Sequence, residues 1–472
     1  MQKTLTIKVA VIGLIALILL IPLAMISDKI SERYNYLLEA KDSVARSWTG
    51  SQQIMGPLIV IPYSVETKKD VWNKDKTEKT VKVTKVSRKK FLLPENIKVE
   101  AKISNDIRFK GIYKVPVYTS QLAISGVVDH QLINNTMDSI NHSAGRVTVY
   151  SPYLSATVSD TRGNNSIPDL NWMGKDLPFK PGSKLTANNN GIHAFLPKFN
   201  RSLSKDVEFD FQLEFRGMEM VSFVPVGQEA VVNVASDWPH PKFTGMFLPS
   251  SRTIEDSGYD AEWKVTSFAS NIADKVKQCE QGNCNELFAS NFGVKHIETV
   301  DVYLQSERSV KYGILFIGLS FIAFFIFEVI RKLPIHAIQY TLVGFAIAVF
   351  YLLLVSLSEH LEFALSYLIA TICCASLLLF YLRYVLRGFK QALVFSSLLL
   401  LLYGVLFVII SAEDFALLMG AFLTFVALLV VMISTRNIDW YEVNKAQTTA
   451  FSAGPLKQSA DQVAVDEKKV DE

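Results

Sequence analysis

The residues that could carry chemistry in this chain are its seven histidines, its four cysteines and a short serine–lysine motif. No two histidines lie at i and i+4 with a glutamate, so the helical zinc-protease pattern is absent. Ser202 and Lys205 match the Ser-x-x-Lys motif of penicillin-recognising enzymes, but Trp238 follows Ser236 and Asp237 where those enzymes have asparagine. The sequence therefore predicts no catalytic residues, no metal site and no cofactor.

The four cysteines fall into two pairs. Cys373 and Cys374 lie in an apolar run and are interpreted as small packing residues. Cys279 and Cys284 lie in the polar segment CEQGNC, where an oxidising compartment would join them in a disulfide. The alternatives are two free thiols or a metal site, for which His296 is the nearby additional ligand. We predict the Cys279–Cys284 disulfide.

The segment Ser236–Pro241, SDWPHP, is predicted to form a candidate functional surface made of Asp237, Trp238 and His240. The two prolines restrict the backbone on either side of His240. Trp238 offers a large flat face, and Asp237 adds a carboxylate. The structural alternative is that Trp238 fills a β core, Asp237 bonds a local turn and the prolines end a strand.

The elements that carry these residues are set by six apolar runs, each close to the roughly 20 residues that cross a bilayer. The runs are Val9–Ile26, Tyr312–Ile330, Ile338–Leu357, Ala364–Leu382, Ala392–Ser411 and Phe415–Ser434. Glu328 is the charge inside them, and the Arg331 and Lys332 that follow predict an interfacial ion pair. The chain is thus predicted to be a polytopic α-helical membrane protein with six spans.

The lysines and arginines of the short loops predict the orientation of these spans. Basic residues precede the first span and follow the second and fourth, whereas the loops after the third and fifth contain none. Both termini are therefore expected in the cytoplasm. The first run is long and lacks a clear cleavage site, which favours an uncleaved signal anchor over a signal peptide. In the loop after the third span, Glu359, His360 and Glu362 either gather a cation or are simply solvated.

The predicted divisions are a cytoplasmic N-terminus (1–8), a first transmembrane helix (9–26), a periplasmic domain (27–311), a five-helix bundle (312–434) and a cytoplasmic tail with a disordered end (435–472). The periplasmic domain begins with an amphipathic helix, because apolar residues from Ile30 to Trp48 recur at helical spacing.

The rest of that domain is predicted to be mainly β, as an antiparallel sandwich. In Val207–Phe215 apolar and polar residues alternate at every position, which places one face in a core. Other strand-like runs are Gly56–Tyr63, Leu122–Val128, Arg146–Val149 and Ala230–Val234. Turn clusters separate the strands at 160–165, 188–191 and 239–241, and long helical patterns are scarce between Gln52 and Ser250.

The charge pattern limits the partners. A net charge of +3 is too small to imply nucleic-acid binding. Thr67–Lys90 holds ten basic residues against three acidic ones. This segment is either a basic hairpin attracted to anionic lipid or another envelope polyanion, or a solvated edge hairpin whose lysines prevent strand pairing. The partner expected from these observations is the lipid bilayer.

Segments along the whole chain carry a family resemblance, namely Gly56–Tyr63, Leu93–Glu95, Gly111–Tyr113, Asp160–Gly163, Ser236–Arg252, Ser257–Trp263, Lys311–Glu328, His336–His360 and Thr435–Tyr441. By these segments the chain resembles the CreD family of bacterial inner-membrane proteins, the cell envelope integrity family. The resemblance implies a role in keeping the envelope intact under stress, with tolerance of certain colicins and cell-wall-directed β-lactams. It also implies envelope components as partners, namely peptidoglycan, lipopolysaccharide or envelope proteins. It brings no catalytic residues. Thr67–Lys90 and CEQGNC lie outside the resemblance.

These observations favour binding or scaffolding by the periplasmic domain. One alternative is an enzyme that modifies an envelope polymer or lipid. The other is a transporter or export component, although the spans are rich in Leu, Phe and Ala and have few polar groups to line a pathway.

Overall fold

A computed structural model describes residues 3–72, 79–143, 145–166, 168–199, 204–297, 302–331, 335–412 and 415–436. Ser202, the loop after the fifth span and the predicted tail beyond Arg436 lie outside these residues. The chain divides into two compact units. The first, here the membrane unit, comprises Met1–Tyr36 and Val300–Glu472, and the second, here the β domain, is Leu37–Thr299.

Twelve α-helices are present in the described residues. They are α1 (Lys3–Ile18), α2 (Leu20–Ser47), α3 (His130–Asn141), α4 (Ser267–Ser270), α5 (Ile272–Glu280), α6 (Asn285–Ala289), α7 (Val302–Lys311), α8 (Gly313–Arg331), α9 (Ala337–Ser358), α10 (Phe363–Val385), α11 (Phe389–Ser411) and α12 (Ala416–Thr435). Six segments are long and apolar enough to cross a membrane, which confirms the predicted number of spans. The first continues as helix to Ser47, as the amphipathic spacing predicted.

The acidic side chain inside a span is paired differently from the prediction. Glu328 is only 2% exposed and forms an ion pair with Lys8. Its carboxylate also accepts hydrogen bonds from the Tyr340 hydroxyl at 2.7 Å and from the backbone N–H of Ile335 at 3.3 Å. The pair with Lys8 was not predicted, because helix packing brings together two residues that are 320 positions apart in sequence, whereas Lys332 of the predicted interfacial pair lies outside the described residues.

The acidic loop after α9 also has a partner from the start of the chain. Oε1 of Glu359 forms an ion pair with Nε of Arg33 at 3.3 Å. One of the three groups considered for a cation is therefore held by a helix within the membrane unit.

Seventeen strands are described, and they lie in two sheets of the β domain. They are β1 (Gln52–Trp72), β2 (Lys79–Leu92), β3 (Asn96–Lys110), β4 (Tyr113–Val128), β5 (Arg146–Val149), β6 (Tyr153–Val158), β7 (Asp169–Trp172), β8 (Lys175–Pro178), β9 (Lys180–Pro181), β10 (Gly191–Phe195), β11 (Val207–Met218), β12 (Met220–Val224), β13 (Glu229–Ser236), β14 (Pro241–Gly245), β15 (Ser251–Glu255), β16 (Gly258–Thr266) and β17 (Phe292–His296).

The first sheet has the order β14-β17-β12-β1-β6-β10-β9, with β2 and β5 also paired to β1. The second has the order β15-β16-β13-β3-β4-β11-β7-β8. Pairing is mainly antiparallel, but β1 with β12 and β13 with β3 are parallel. Parallel neighbours arise because those strands are far apart in sequence and are joined by long connections rather than hairpins.

Alternation along the strands builds one core shared by the two sheets. In β11 the buried and exposed residues alternate from Val207 onward, as the sequence pattern predicted. The buried residues of both sheets form one continuous apolar cluster. Helix α3 lies in the region where helical patterns are scarce, and it was missed because only Ile133, Thr136 and Ile140 of its twelve residues are buried.

The basic segment Thr67–Lys90 forms the outer arms of an antiparallel hairpin. Its strands β1 and β2 pair without interruption from Ile59 opposite Leu92 to Trp72 opposite Lys79. Residues 73–78, which follow β1 and precede β2 in the sequence, lie outside the described residues.

Candidate functional site

The predicted surface Ser236–Pro241 is the segment where the chain leaves the second sheet for the first. Strand β13 ends at Ser236 in one sheet, and β14 begins at Pro241 in the other. Asp237 Oδ1 accepts hydrogen bonds from the backbone N–H of Asn105 at 3.0 Å and from its side-chain amide at 2.6 Å. The Asp237 carboxylate therefore anchors the crossing to β3.

The crossing brings Trp238 against the core but leaves His240 outside. The indole Nε1–H of Trp238 donates to the carbonyl of Ile297 at 3.0 Å, and its ring centre lies 6.0 Å from that of His296. The His240 side chain is exposed, and its backbone carbonyl accepts from the Ile297 N–H at 3.3 Å. The three predicted residues thus share one segment without their side chains converging on one point.

A buried histidine–tyrosine pair lies beneath Trp238. The Tyr259 hydroxyl of the second sheet is 3.0 Å from Nε2 of His296 in the first sheet. The Nδ1 of His296 is buried and has no hydrogen-bond partner among the described residues. Burial lowers the pKa of His296 to about 4, with the Asp237 carboxylate acting in the opposite direction. Burial raises the pKa of Tyr259 well above its usual range.

Both partners of this pair are consequently neutral at physiological pH. His296 and Tyr259 are 4% and 3% exposed, so a substrate in solution cannot reach them. A buried neutral pair that joins two sheets is suited to fixing their packing. The sequence offered His296 only as a possible metal ligand, and nothing in the local pattern indicated its pairing with a tyrosine 37 residues away.

The two cysteines of CEQGNC form a disulfide with Cα atoms 4.2 Å apart, and both are buried. Glu280 lies inside the closed loop. Its Oε1 accepts from the backbone N–H of Phe91 at 2.8 Å, and its Oε2 accepts from Lys90 Nζ at 3.0 Å. The loop is therefore attached to strand β2 through one carboxylate.

A cleft of about 600 Å³ lies between the sheets near the ends that contain β9 and β10. Apolar side chains from both sheets form part of its lining, including Phe179, Ile192, Leu213 and Phe215. Amide and hydroxyl groups add polar lining, as Thr161, Asn164, Ser166, Asn189 and Asn190. The charged lining side chains are Asp160 and Lys180. An apolar surface with a few polar groups is typical of ligand-binding clefts.

The Asp160–Gly163 segment, DTRG, fixes one rim of this cleft. The Asp160 carboxylate caps a short 3-10 helix at Thr161–Gly163 and forms an ion pair with Arg162. The Arg162 pair holds the pKa of Asp160 below its usual range. A Cβ on Gly163 would lie 2.6 Å from the carbonyl oxygen of Arg216, so this close approach requires glycine.

The sequence identified the two rims only as turn clusters, at 160–165 and 188–191. The turn at 188–191 contains three successive asparagines, which supply side-chain amide groups as well as a change of chain direction. These asparagines were the feature of the sequence that could have indicated a polar rim. What the sequence lacked was the pairing of β6 with β10, which brings the two turns to the same end of the sheets.

One group of side chains has metal-ligand types. Single ligand atoms of Asp129, His130 and Asp206 lie within 4.8 Å of one another. Local hydrogen bonds already engage them, since His130 Nδ1 is 2.8 Å from Asp206 Oδ1 and Asp129 caps helix α3 through the Gln131 N–H. The His130 hydrogen bond lowers the pKa of Asp206. These contacts explain the group as a helix start tied to the strand that follows Asp206.

Comparison with known proteins places the chain in a family. The family model described as inner membrane protein CreD matches residues 4–441. The chain is 33% identical over 454 residues to the inner membrane protein CreD of Escherichia coli strain K12, which is 96% of each chain.

Among solved structures, an M1 zinc metallopeptidase from Deinococcus radiodurans matches in a substrate-bound mutant form at 8% identity and in another form at 5% identity. The TM-score is 0.19 in both cases, and the match covers 36% of this chain and 38% of the peptidase. A likeness at that score carries no argument about fold or activity. The matches along nearly the whole chain show that it belongs to the CreD family of inner membrane proteins.

Proposed function

We propose that this inner membrane protein supports cell envelope integrity, and tolerance of colicins and cell-wall-directed β-lactams, by binding an envelope component through its β domain. The cleft of about 600 Å³ between the two sheets is the observation that carries the proposal. Its apolar surface and its amide-rich rim match a ligand with both apolar and hydrogen-bonding parts, as envelope glycolipids and glycopeptides have.

The chemistry of the cleft favours binding over catalysis. General acid–base catalysis needs a titratable side chain within reach of the substrate. The ion pair with Arg162 lowers the pKa of Asp160, and the same carboxylate caps the 3-10 helix. Lys180 Nζ lies 5.4 Å from the centre of the Phe195 ring. Both charged side chains of the cleft are therefore engaged in local contacts. The buried His296–Tyr259 pair is closed to solvent. An enzyme acting on an envelope polymer or lipid is the alternative, and turnover would reveal it.

The β domain meets such a ligand only if it faces the periplasm. The alternating basic content of the loops supports that orientation, with both termini in the cytoplasm and an uncleaved first span. Reporters fused after Ile330, Leu386 and Tyr441 should report the cytoplasm, and those after Gly50, Glu362 and Asp414 the periplasm. A periplasmic signal from the fusion after Tyr441 would contradict the six-span orientation.

The cleft can be tested by filling it. Asn190→Trp places a large ring at an exposed position on the rim, whereas Ala187→Trp places the same ring on the same turn outside the cleft lining. In cells that lack the native protein, we expect Ala187→Trp to restore growth under a cell-wall-directed β-lactam and Asn190→Trp to fail at equal membrane abundance. Equal protection by both variants would show that the cleft is not the binding site.

The ligand class can be tested with the purified full-length protein. Peptidoglycan fragments, lipopolysaccharide and phospholipid are each incubated with protein in nanodiscs. Saturable binding without chemical change supports the proposal. Conversion of any of them to a product would favour the enzyme, and binding of none would shift the function to the membrane unit, as in a transporter or export component.

A further inference from the structure

The basic segment Thr67–Lys90 and the disulfide segment CEQGNC meet at one groove of the β domain. This basic groove has a volume of about 600 Å³ and is lined by Arg88, Lys89 and Lys90 of β2, by one face of α3, and by Glu280 and Gln281 of the disulfide loop. The basic insert and CEQGNC are nearly 190 residues apart in the chain. A single binding site can therefore involve both segments.

The disulfide loop fixes the basic wall of the groove. Both oxygens of Glu280 are used, one by the Phe91 N–H at 2.8 Å and one by Lys90 Nζ at 3.0 Å. Because Glu280 lies between the bonded cysteines, the disulfide limits the positions that the carboxylate and β2 can adopt. Among the basic residues that line the groove, Lys90 is engaged by Glu280, and Lys89 donates from its ammonium to the carbonyl of Lys184 at 2.6 Å. Within the described part of the chain, Arg88 is therefore the basic lining residue that is left to meet a ligand.

The opposite wall supplies neutral hydrogen-bonding groups. Asn135, Ser139 and Ser143 follow one another at intervals of four residues on or just beyond α3, and all three line the groove. This spacing places them in a row on one helix face. Amide and hydroxyl groups opposite guanidinium and ammonium groups make a set of donors that suits the oxygens of a phosphate.

The positive charge continues beyond the groove along the hairpin. Side chains alternate between the two faces of a strand. Arg88 is paired with Tyr63, a groove residue, and six residues further along the same face Lys82 lies opposite Lys69. At about 3.3 Å per residue this face carries basic side chains over about 20 Å. The acidic side chain of Glu66 alternates onto the other face.

We propose that the basic groove binds the phosphate-bearing headgroup of an envelope lipid. Arg88 makes the principal contact to the phosphate, and Lys82 and Lys69 attract further anionic groups of the same or a neighbouring molecule. A solvated hairpin would need neither a groove at its base nor a disulfide-closed loop that orients one of its lysines. This inference rests on the proposed binding function and names a ligand class for a second site of the β domain.

The test uses the full-length protein in phosphatidylcholine nanodiscs and isothermal titration calorimetry. The probes are dihexanoylphosphatidylglycerol, a diphosphorylated glucosamine disaccharide, inorganic phosphate and, as a zwitterionic control, dihexanoylphosphatidylcholine. Arg88→Gln removes the principal contact. Lys85→Gln is the matched control, because it removes a positive charge from an exposed position of the same strand on the face opposite the groove.

We expect the phosphatidylglycerol or the phosphorylated disaccharide to bind saturably, and the tighter of the two identifies the source of the phosphate. Arg88→Gln should weaken that binding about tenfold, the effect of losing a charge-assisted hydrogen bond, and Lys85→Gln by about twofold or less. A double Cys279→Ser, Cys284→Ser variant should also weaken it. Equal weakening by Arg88→Gln and Lys85→Gln, binding of inorganic phosphate as tight as that of the lipid probes, or no binding of any probe would overturn the proposal.

The failure of this inference and that of the proposed function can be told apart. If the probes do not bind, yet the chain restores β-lactam tolerance to cells that lack the protein, the groove proposal is lost and the envelope function stands. If the probes bind as expected and the chain restores no tolerance, the groove proposal stands and the envelope function is lost.

Discussion

The membrane unit and the β domain solve the burial of polar groups in different ways. In the membrane unit, Glu328 is buried, forms an ion pair with Lys8 and accepts a hydrogen bond from the Tyr340 hydroxyl. In the β domain, His296 is buried beside Tyr259, and burial lowers the pKa of His296 so that its imidazole is neutral. The first unit thus pairs a buried carboxylate with a cation, and the second keeps a buried imidazole neutral by lowering its pKa.

The two sites are expected to respond differently to substitution and to pH. An ion pair buried between helices joins segments far apart in sequence, and removing one partner leaves an uncompensated charge in a poorly hydrated place. A neutral hydrogen-bonded pair between two sheets is less costly to bury, but its stabilising effect falls as the pH drops below the pKa of the free histidine, because the unfolded chain then binds a proton that the folded pair does not. One site should therefore be sensitive to substitution and the other to acid.

The largest effect is expected from Glu328→Gln. The substitution leaves Lys8 without its counter-charge, so we expect a loss of about 4 kcal/mol in the free energy of unfolding. Thermal unfolding of the protein in nanodiscs measures it. The double variant Lys8→Met, Glu328→Met should recover most of the loss, because it removes both charges. If Glu328→Gln unfolds like the native chain, the ion pair does not hold the helices together.

The next effect is a pH dependence carried by His296. Its pKa is about 4 in the folded protein, against about 6.5 in an unfolded chain. Between these values the unfolded chain binds more protons, so the stabilisation is complete above pH 6.5 and is lost as the pH falls toward 4. The difference amounts to about 3 kcal/mol.

Denaturant unfolding at pH 7 and pH 4 measures this loss, with His296→Phe as the control. Phenylalanine keeps an aromatic ring between the sheets but has no group that titrates. The native chain should lose more stability on acidification than His296→Phe does. An equal loss in both proteins would assign the acid sensitivity to other groups.

A smaller effect is expected at the Cys279–Cys284 disulfide, which restrains the chain covalently rather than by charge. The closed loop is short, so its removal by substitution of both cysteines with serine should cost about 2 kcal/mol. Alkylation of the unreduced protein followed by mass spectrometry should label neither cysteine. Labelling of both would rule the bond out.

The smallest structural effect is expected at His240, the exposed counterpart of His296. His240→Ala should change the free energy of unfolding by less than about 0.5 kcal/mol, because its side chain is exposed and its carbonyl contact to Ile297 is retained. Thermal unfolding and membrane abundance check this expectation. Loss of β-lactam tolerance at normal abundance would make the Ser236–Pro241 surface functional, whereas full tolerance would remove His240 from the candidate site.

The class of this protein follows from local patterns in its sequence. Six apolar runs of spanning length and the strict alternation of Val207–Phe215 are local patterns, and each one fixes an element without reference to the rest of the chain. The amphipathic helix to Ser47 and the strands at Arg146–Val149 and Ala230–Val234 followed in the same way.

The contacts between distant residues depend on tertiary packing. Lys8 and Glu328 are 320 residues apart, and Lys90 and Glu280 are 190 apart, so no local period connects them. The cleft and the basic groove both depend on strand order, which places turns and loops from separate parts of the chain side by side. Local patterns record whether a residue is buried, because burial depends on its face of a helix or strand. They do not record its partner, because that depends on how the elements pack.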